Sequence, residues 1–503
     1  MKKSVRLLSL LFATVMLLTA VACKKDKPVE QETTIATTGQ AGGDRYDENG
    51  FLLNDLPELN YEGEEIEIVH WTPTVNEFEI TQEETSDAIS WSIWSRNTAV
   101  EQSLNVALVY VEFAAGGADT YAFAQYVEGR SMSNDPFDFI AGYSRATPLC
   151  ATRGLCLDLF GLEYLNFNQP WWPQSLVSEA QIGGKLYYAS GDVSPNLLYN
   201  MTTLFYNKQL LIDNGIESPV DHVNDGTWTM EVMNKMIKDY GQDLNTNYRK
   251  DKEDRYGLVT LDHYMEDIFE ACGLRFYDPV DEGDDQLFKL SESYYGSMAI
   301  DLSADLLKMN VGDDVLFSTN STECNPVTIF ENGRSMFLLS SVNVINTSGL
   351  RDVNWKYGIV PWPLYDADLQ ERFSTATRYP FTMYGVFSQC ENPERAGAVL
   401  ECLASEAYRK ISPEVFERAM KLRYSDASED AKMFDLLRAN IVFENGRLLS
   451  QSQTTNMGVL FYGSVIGGDN WKTVSNQNKA KLEAEIEELS DLFMELINQD
   501  AAE

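Results

Sequence analysis

A chain of 503 residues with 77 acidic and 39 basic side chains carries a formal charge of −38 and an isoelectric point near 4.4. That excess repels polyanions, excludes nucleic acid as a natural partner and reads as a solubility device. The length exceeds what one hydrophobic core serves, so two or more domains are expected.

The first residues, MKKSVRLLSLLFATVMLLTAVACKKDK, set Lys2, Lys3 and Arg6 ahead of an apolar run from Leu7 to Val21. The run is shorter than the roughly 20 residues of a membrane span and has the layout of a secretory signal. Ala20-Val21-Ala22-Cys23 resembles a bacterial lipoprotein cleavage site, which implies that Cys23 becomes the new N-terminus and carries the lipid. Ala20 stands where leucine is usual, and ordinary signal cleavage is the alternative. Residues 24–46 are rich in Lys, Glu, Thr and Gly without an apolar pattern, as in a flexible tether. Residues 1–22 are therefore assigned to the signal, and 23–59 to the lipidated cysteine and tether.

The folded part opens with EEIEIVHW, whose Ile66 and Ile68 alternate with charge, as in a strand. A helix is expected over about 86–103, a strand at NVALVYVEF, a helix at ADTYAFAQYVEGRSM and a buried parallel strand at FDFIAGY. Strand and helix in alternation begin a doubly wound sheet. KLYYAS and TTLFYN read as further strands. TWTMEVMNKMIKDY sets Met230, Met233, Ile237 and Tyr240 near helical spacing, a core stripe rather than a cofactor box. RSMFLLSS and WKYGIVPW read as strands, and ENPERAGAVLECLASEAY opens a helix with Asn392 as cap and Pro393 at its first position. Leu482, Ile486, Leu489, Phe493 and Leu496 mark a long amphipathic C-terminal helix. No internal repeat is evident.

Much catalytic chemistry is missing. The three histidines, His70, His222 and His263, form no HExxH motif, and neither GxSxG nor a phosphate-binding loop occurs. A glycosidase-type carboxylate pair remains open among 77 acids, though nothing singles one out. Cys150, Cys156, Cys272, Cys324, Cys390 and Cys402 show no metal spacing; they read as buried thiols, with a Cys150–Cys156 bridge as the alternative. DLNTNYRKDKED places Asp243, Asn245, Asn247, Asp251 and Asp254 at positions 1, 3, 5, 9 and 12 of a calcium-type loop. Tyr248 stands where such a loop turns on glycine, and a solvated polar turn is the competing reading.

In a doubly wound sheet, ligands bind beyond the carboxyl ends of the strands. After the first strand come His70, Trp71, Thr72, Asn76 and Glu77; after the third come Tyr143, Ser144 and Arg145. Aromatic faces beside acid, amide and guanidinium groups suit a sugar, whose C–H faces stack and whose hydroxyls need polar partners. Trp71, Glu77, Tyr143 and Arg145 are the candidates. In NFNQPWWPQS, Trp171 and Trp172 lie between Pro170 and Pro173. An extended, proline-flanked pair points its side chains opposite ways, which makes a structural corner with at most one ring, Trp172, reaching a ligand.

The order of these features resembles the extracellular solute-binding proteins of carbohydrate ABC importers. The resemblance rests on YDENGFLLNDLPELNYEGEEIEIVHW, on FDFIAGYSRATPLCATRGLCLDL, and on the stretch from PWWPQS to LFYNKQLL with its Gly184-Lys185-Leu186-Tyr187 and Tyr206-Asn207-Lys208. DGTWTMEVM, FENGRSMFLLSS and YGIVPWP carry it further, and it covers most of the chain from about residue 46. It implies an α/β, two-lobed type II periplasmic-binding-protein fold with a central cleft. The first lobe would be 60–192 plus 385–445, and the second 193–384 plus 446–503. It also implies ligand contacts at Asp192, Asp262, Tyr264, Asn343 and Trp362; many relatives carry Trp near Asn343. The implied protein is no enzyme. It would be a monomer on the extracellular face of the bacterial cell membrane, anchored by lipid on Cys23, handing a small carbohydrate to permease subunits. A surface glycoside hydrolase, a binder of peptides or another polar solute, and an adhesin are the competing readings.

Overall fold

The computed structural model describes residues 45–280, 286–420 and 427–500. The expected signal segment, Cys23 and most of the tether lie outside these residues. Among the described residues no helix is long and apolar enough to cross a membrane. Residues 45–52 belong to a unit of their own, in which Tyr46 bridges Leu52. Everything below concerns the described residues from 53 to 500.

Eleven strands occur among the described residues: β1 Glu64–His70, β2 Val106–Glu112, β3 Phe139–Tyr143, β4 Thr202–Asn207, β5 Tyr256–Leu261, β6 Tyr277–Pro279, β7 Phe288–Leu290, β8 Val315–Ser318, β9 Ser335–Ser341, β10 Tyr357–Val360 and β11 Thr382–Val386. They build two main sheets, one in each lobe. The first has the order β11-β3-β1-β2, with β1 parallel to β2 and β3, and β11 antiparallel to β3. The second has the order β10-β4-β9-β5-β8, with β5 parallel to β8 and β9, and β4 antiparallel to β9 and β10. β6 and β7 form a separate hairpin.

Local chemistry accounts for many of the elements. The helix Ala88–Leu104 starts where the Asp87 carboxylate accepts N–H groups from Ile89 and Ser90, and it stops where Asn105 turns left-handed at φ 50°. In Pro393–Lys410, Asn392 accepts the Arg395 N–H at 3.1 Å, and Pro393 begins the first turn without an N–H to satisfy. These two helices pack on each other beside the first sheet. Met230, Met233 and Ile237 are buried along the helix Met230–Ile237, as a core stripe. In the final helix, Trp471–Asp500, Leu482, Ile486, Leu489 and Phe493 are buried. Phe493 lies between Tyr187, at 5.6 Å, and Phe288, at 6.3 Å, so this helix touches both lobes.

Two expectations differ from the fold. KLYYAS makes no strand: Gly183 and Gly184 turn left-handed at φ 56° and 79°, and only isolated bridges, Ile182 to Lys185 and Ala189 to Tyr384, remain. The Trp171–Trp172 segment is a turn, not an extended chain, because the Trp172 N–H reaches back to the Gln169 carbonyl at 3.1 Å. Gly191 is required opposite it, since a Cβ there would stand 2.4 Å from the Trp171 carbonyl oxygen. All six described cysteines are free thiols, five of them buried.

Candidate functional site between the sheets

Three segments connect the sheets side by side. Ala189 exchanges backbone bonds with Tyr384, Met201 bridges Thr377, and Thr375 bridges Ile441. A polar clamp fixes the first two. Glu77, fully buried beyond the end of β1, accepts from the Ser194 hydroxyl at 3.0 Å, from the Asn196 side chain at 2.9 Å and N–H at 3.2 Å, and from the Thr382 hydroxyl. The Thr382 hydroxyl in turn accepts the Trp71 indole N–H at 2.8 Å. Burial raises the Glu77 pKa, and the bonds from Thr382, Asn196 and Ser194 only partly oppose it. Glu77 thus belongs to the clamp and offers a ligand no surface.

Along the same connection, Tyr379 gathers residues from both lobes. From the first lobe, the Ser144 hydroxyl donates to the Tyr379 carbonyl, and the Arg145 guanidinium lies 4.1 Å from the Tyr379 ring centroid and 5.7 Å from that of Tyr143. Tyr143 meets Trp71 edge-on at 5.1 Å. From the second lobe, just past β5, Tyr264 lies under the Arg378 guanidinium at 5.0 Å and accepts the Ser341 N–H at 3.0 Å. Asp262 and His263 are the more exposed residues of that turn. Beneath Tyr379 lies a buried ionic cluster. Arg447 donates to Glu266 at 3.1 Å, to Asp267 at 3.1 Å and to Glu270 at 3.1 Å, and the Tyr379 hydroxyl donates to Glu266 at 2.6 Å. Arg378 shares Asp267 at 3.2 Å. Burial pushes the Glu270 pKa well above the usual carboxylate range, with Glu266, Asp267 and Glu444 adding to it and Arg447 opposing.

The expected site residues therefore separate. Tyr143, Arg145 and Tyr264 come together around Arg378 and Tyr379, while Asp262 sits on the same turn as Tyr264, beside His263. Trp71 is 2% exposed and supports Tyr143 from behind. Asp192, also buried, is held by Arg438, whose Nε donates at 3.1 Å. Asn343 caps a short helix, its N–H on the Tyr199 carbonyl at 2.7 Å. Trp362 is buried against Cys272 in the second lobe. Trp172 is 1% exposed and donates its indole N–H to Glu401 at 2.9 Å, leaving no face for a ligand. Arg378, Tyr379 and Arg447 were not among the sequence candidates. The signal was present in the first two, a charge and a phenol in the segment TRYPFTMYGV just ahead of the apolar return strand.

The 243–254 loop is closed by its own polar groups. Asp243 accepts N–H groups from Thr246 and Tyr248 at 2.6 and 2.8 Å, and Asp254 accepts those of Leu244 and Asp251 at 3.1 and 3.0 Å. Asn245 and Asn247 donate to one oxygen of Asp251 at 2.9 and 2.6 Å. Among the described residues no group of three or more His, Cys, Asp or Glu side chains is arranged to hold a metal. The loop is also tied to its surroundings, through Lys250 to the Asn310 and Val315 carbonyls at 2.7 and 2.8 Å and through Arg334 to the Lys252 carbonyl at 3.0 Å, and it stands here as a hydrogen-bonded polar turn.

No protein-family model and no curated protein matches the chain. Solved structures do. A cyclo/maltodextrin-binding protein complexed with maltotetraose is similar at a TM-score of 0.56 and 12% identity, over 85% of this chain and 98% of that one. The cyclic α-maltosyl-1,6-maltose binding protein from Arthrobacter globiformis gives 0.55 and 12%, over 85% and 100%. An ABC substrate-binding protein from Listeria monocytogenes in complex with cycloalternan gives 0.50 and 13%, over 84% and 98%. At these identities the likeness shows the fold. The chain has the two-lobed α/β fold of substrate-binding proteins, with its sheets joined through the Tyr379 segment.

Proposed function

We propose that this chain is the solute-binding component of a bacterial ABC importer, and that it captures a sugar or oligosaccharide between its lobes. The observation that carries the reading is the meeting of Tyr143, Arg145, Arg378, Tyr379 and Tyr264 from both lobes, within a fold shared by sugar-binding proteins. The buried tyrosines Tyr143, Tyr264 and Tyr379 shape the wall of the site, and guanidinium, Asp262 and backbone groups take the hydroxyls of a sugar. A ligand touching both lobes stabilises the closed arrangement over the open one, and closure is a population shift about the three connections. No bond is broken.

The lobes are taken as 60–192 plus 385–445 and 193–384 plus 446–503, with the return strand already starting at Thr382. The N-terminal pattern through Cys23 supports a lipid anchor on the extracellular face of the cell membrane, from which the chain, taken as a monomer, would deliver its solute to the permease's transmembrane subunits. A thermal-shift screen of the folded chain against an oligosaccharide panel tests the reading, because a ligand that binds only the folded state raises the melting temperature. A saccharide that raises it and is recovered unchanged supports the reading. Release of a cleaved product would favour a hydrolase, and stabilisation by peptides alone would move the solute class.

A further inference from the structure

We propose that the solute is an anionic saccharide, a sugar carrying a carboxylate, sulfate or phosphate, and that Arg145 is the group that pairs with its charge. This rests on the sugar-binding reading above. Three guanidinium groups surround the Tyr379 ring: Arg145 at 4.1 Å, Arg447 at 4.5 Å and Arg378 at 5.8 Å. Two of them are neutralised. Arg447 is bonded to Glu266, Asp267 and Glu270, and Arg378 to Asp267.

Arg145 differs from both. Among the described residues no carboxylate lies within ion-pair distance of it, and its Nε is shut off from solvent without a hydrogen bond. Its neighbours are the Tyr379 ring, the Tyr143 ring and the Tyr143 hydroxyl. Such a half-buried cation, stripped of part of its water and with no carboxylate in contact, is costly to hold. The absence is pointed in a chain where acids outnumber bases by 77 to 39 and where both neighbouring arginines have carboxylates.

An oxyanion on the ligand supplies the missing partner. The planar guanidinium fork accommodates two oxygens of such a group while its face stays on Tyr379. Tyr143 and Tyr264, buried on either side, form the wall behind it. Asp262, at the end of β5 on the other lobe, then takes hydroxyls rather than charge.

The test is calorimetric titration of the folded chain with three probes of matched length: a neutral malto-oligosaccharide, an oligogalacturonate and a sulfated oligosaccharide. The proposal expects one of the anionic probes to bind at least about tenfold more tightly than the neutral one, with affinity falling as ionic strength rises. Which anionic probe binds identifies the oxyanion. Arg145→Gln is expected to lose roughly ten- to a hundredfold on the anionic probe, clearly more than it loses on the neutral one, and Arg145→Lys to recover part of that loss. Far-ultraviolet circular dichroism and the melting curve of each variant separate lost binding from lost folding. Preference for the neutral probe overturns the charge assignment and leaves sugar binding standing. Binding of none of the three, nor of any saccharide in the wider panel, overturns both.

Discussion

Trp172 and Glu401 are joined by an indole N–H to carboxylate hydrogen bond of 2.9 Å, and Trp171 donates to the other oxygen of the same carboxylate at 3.1 Å. Two bulky rings and one acid thus lock the 166–173 turn onto the helix Pro393–Lys410. Burial lifts the Glu401 pKa to about 7, although the Trp172, Asn166 and Trp171 donors oppose the rise. Because the folded pKa is raised, the contribution to stability is full below the ordinary carboxyl pKa and is lost as pH climbs through about 7. Glu401→Gln keeps the shape and removes the titration. The wild type is therefore expected to lose roughly 3 kcal/mol relative to this variant between acid and slightly alkaline pH, measured by urea unfolding across that range. Parallel stability curves for the two proteins would show that Glu401 does not titrate in the window. Glu401→Ala, which strands both indole N–H groups, is expected to cost roughly 2 to 5 kcal/mol.

The Glu77 clamp predicts a different pattern. The Thr382 hydroxyl bonds Trp71 and Glu77 at once, so Thr382→Val orphans a donor and an acceptor in one step and is expected to cost roughly 2 to 4 kcal/mol. The double variant with Glu77→Ala should cost clearly less than the sum of the singles, because the two changes remove a shared interaction. Additive losses in denaturant titrations would show that the clamp does not act as one unit.

What was legible in the sequence was local. Alternation at Ile66 and Ile68, the Asn392–Pro393 start and the Met230–Met233–Ile237 stripe each depend on residues within a few positions, and each appears as read. For the candidate site, the strand-end rule named Tyr143 and Arg145 and the resemblance named Tyr264, and these three lie around Arg378 and Tyr379. Partners distant in the chain decided the rest. Asn196 holds Glu77 from 119 positions away, and Arg438 holds Asp192 from 246. No periodicity encodes such pairs, so two acids at plausible ligand positions turned out to be committed within the protein. The tryptophan pair forms the expected structural corner, but by another geometry. Flanking prolines suggested an extended chain, whereas a turn and a distant glutamate set both ring directions.

Trp71 illustrates how the same residue is tested for two roles. At 2% exposure, beneath Tyr143, it acts through packing. Trp71→Ala is expected to cost about 3 to 5 kcal/mol of stability, and Trp71→Phe, which keeps a ring but drops the bond to Thr382, about 1 kcal/mol. Sugar affinity should fall in step with the displacement of Tyr143. A Trp71→Ala protein of unchanged melting temperature that had lost all sugar binding would instead make Trp71 a direct contact.

Arg447 is the counter-charge of the cluster under Tyr379, and its removal is expected to be the most damaging of these changes. Glu266, Asp267 and Glu270 are all buried and all bonded to it. Arg447→Met fills the volume but leaves the carboxylates facing one another, a loss of about 3 to 5 kcal/mol near neutral pH. The pH dependence follows from Glu270. Its folded pKa is already raised by burial and by its acidic neighbours, and Arg447 is the group that holds it down. Without Arg447 that pKa rises further. Stability is then retained at low pH, where Glu270 is protonated, and is lost as pH rises through the raised value. The variant should therefore recover much of its deficit on acidification, and the gap in unfolding free energy between it and the wild type should widen steadily toward neutral pH. A gap independent of pH would mean that the loss comes from packing alone, and that the cluster beneath Tyr379 carries no net charge once its arginine is gone.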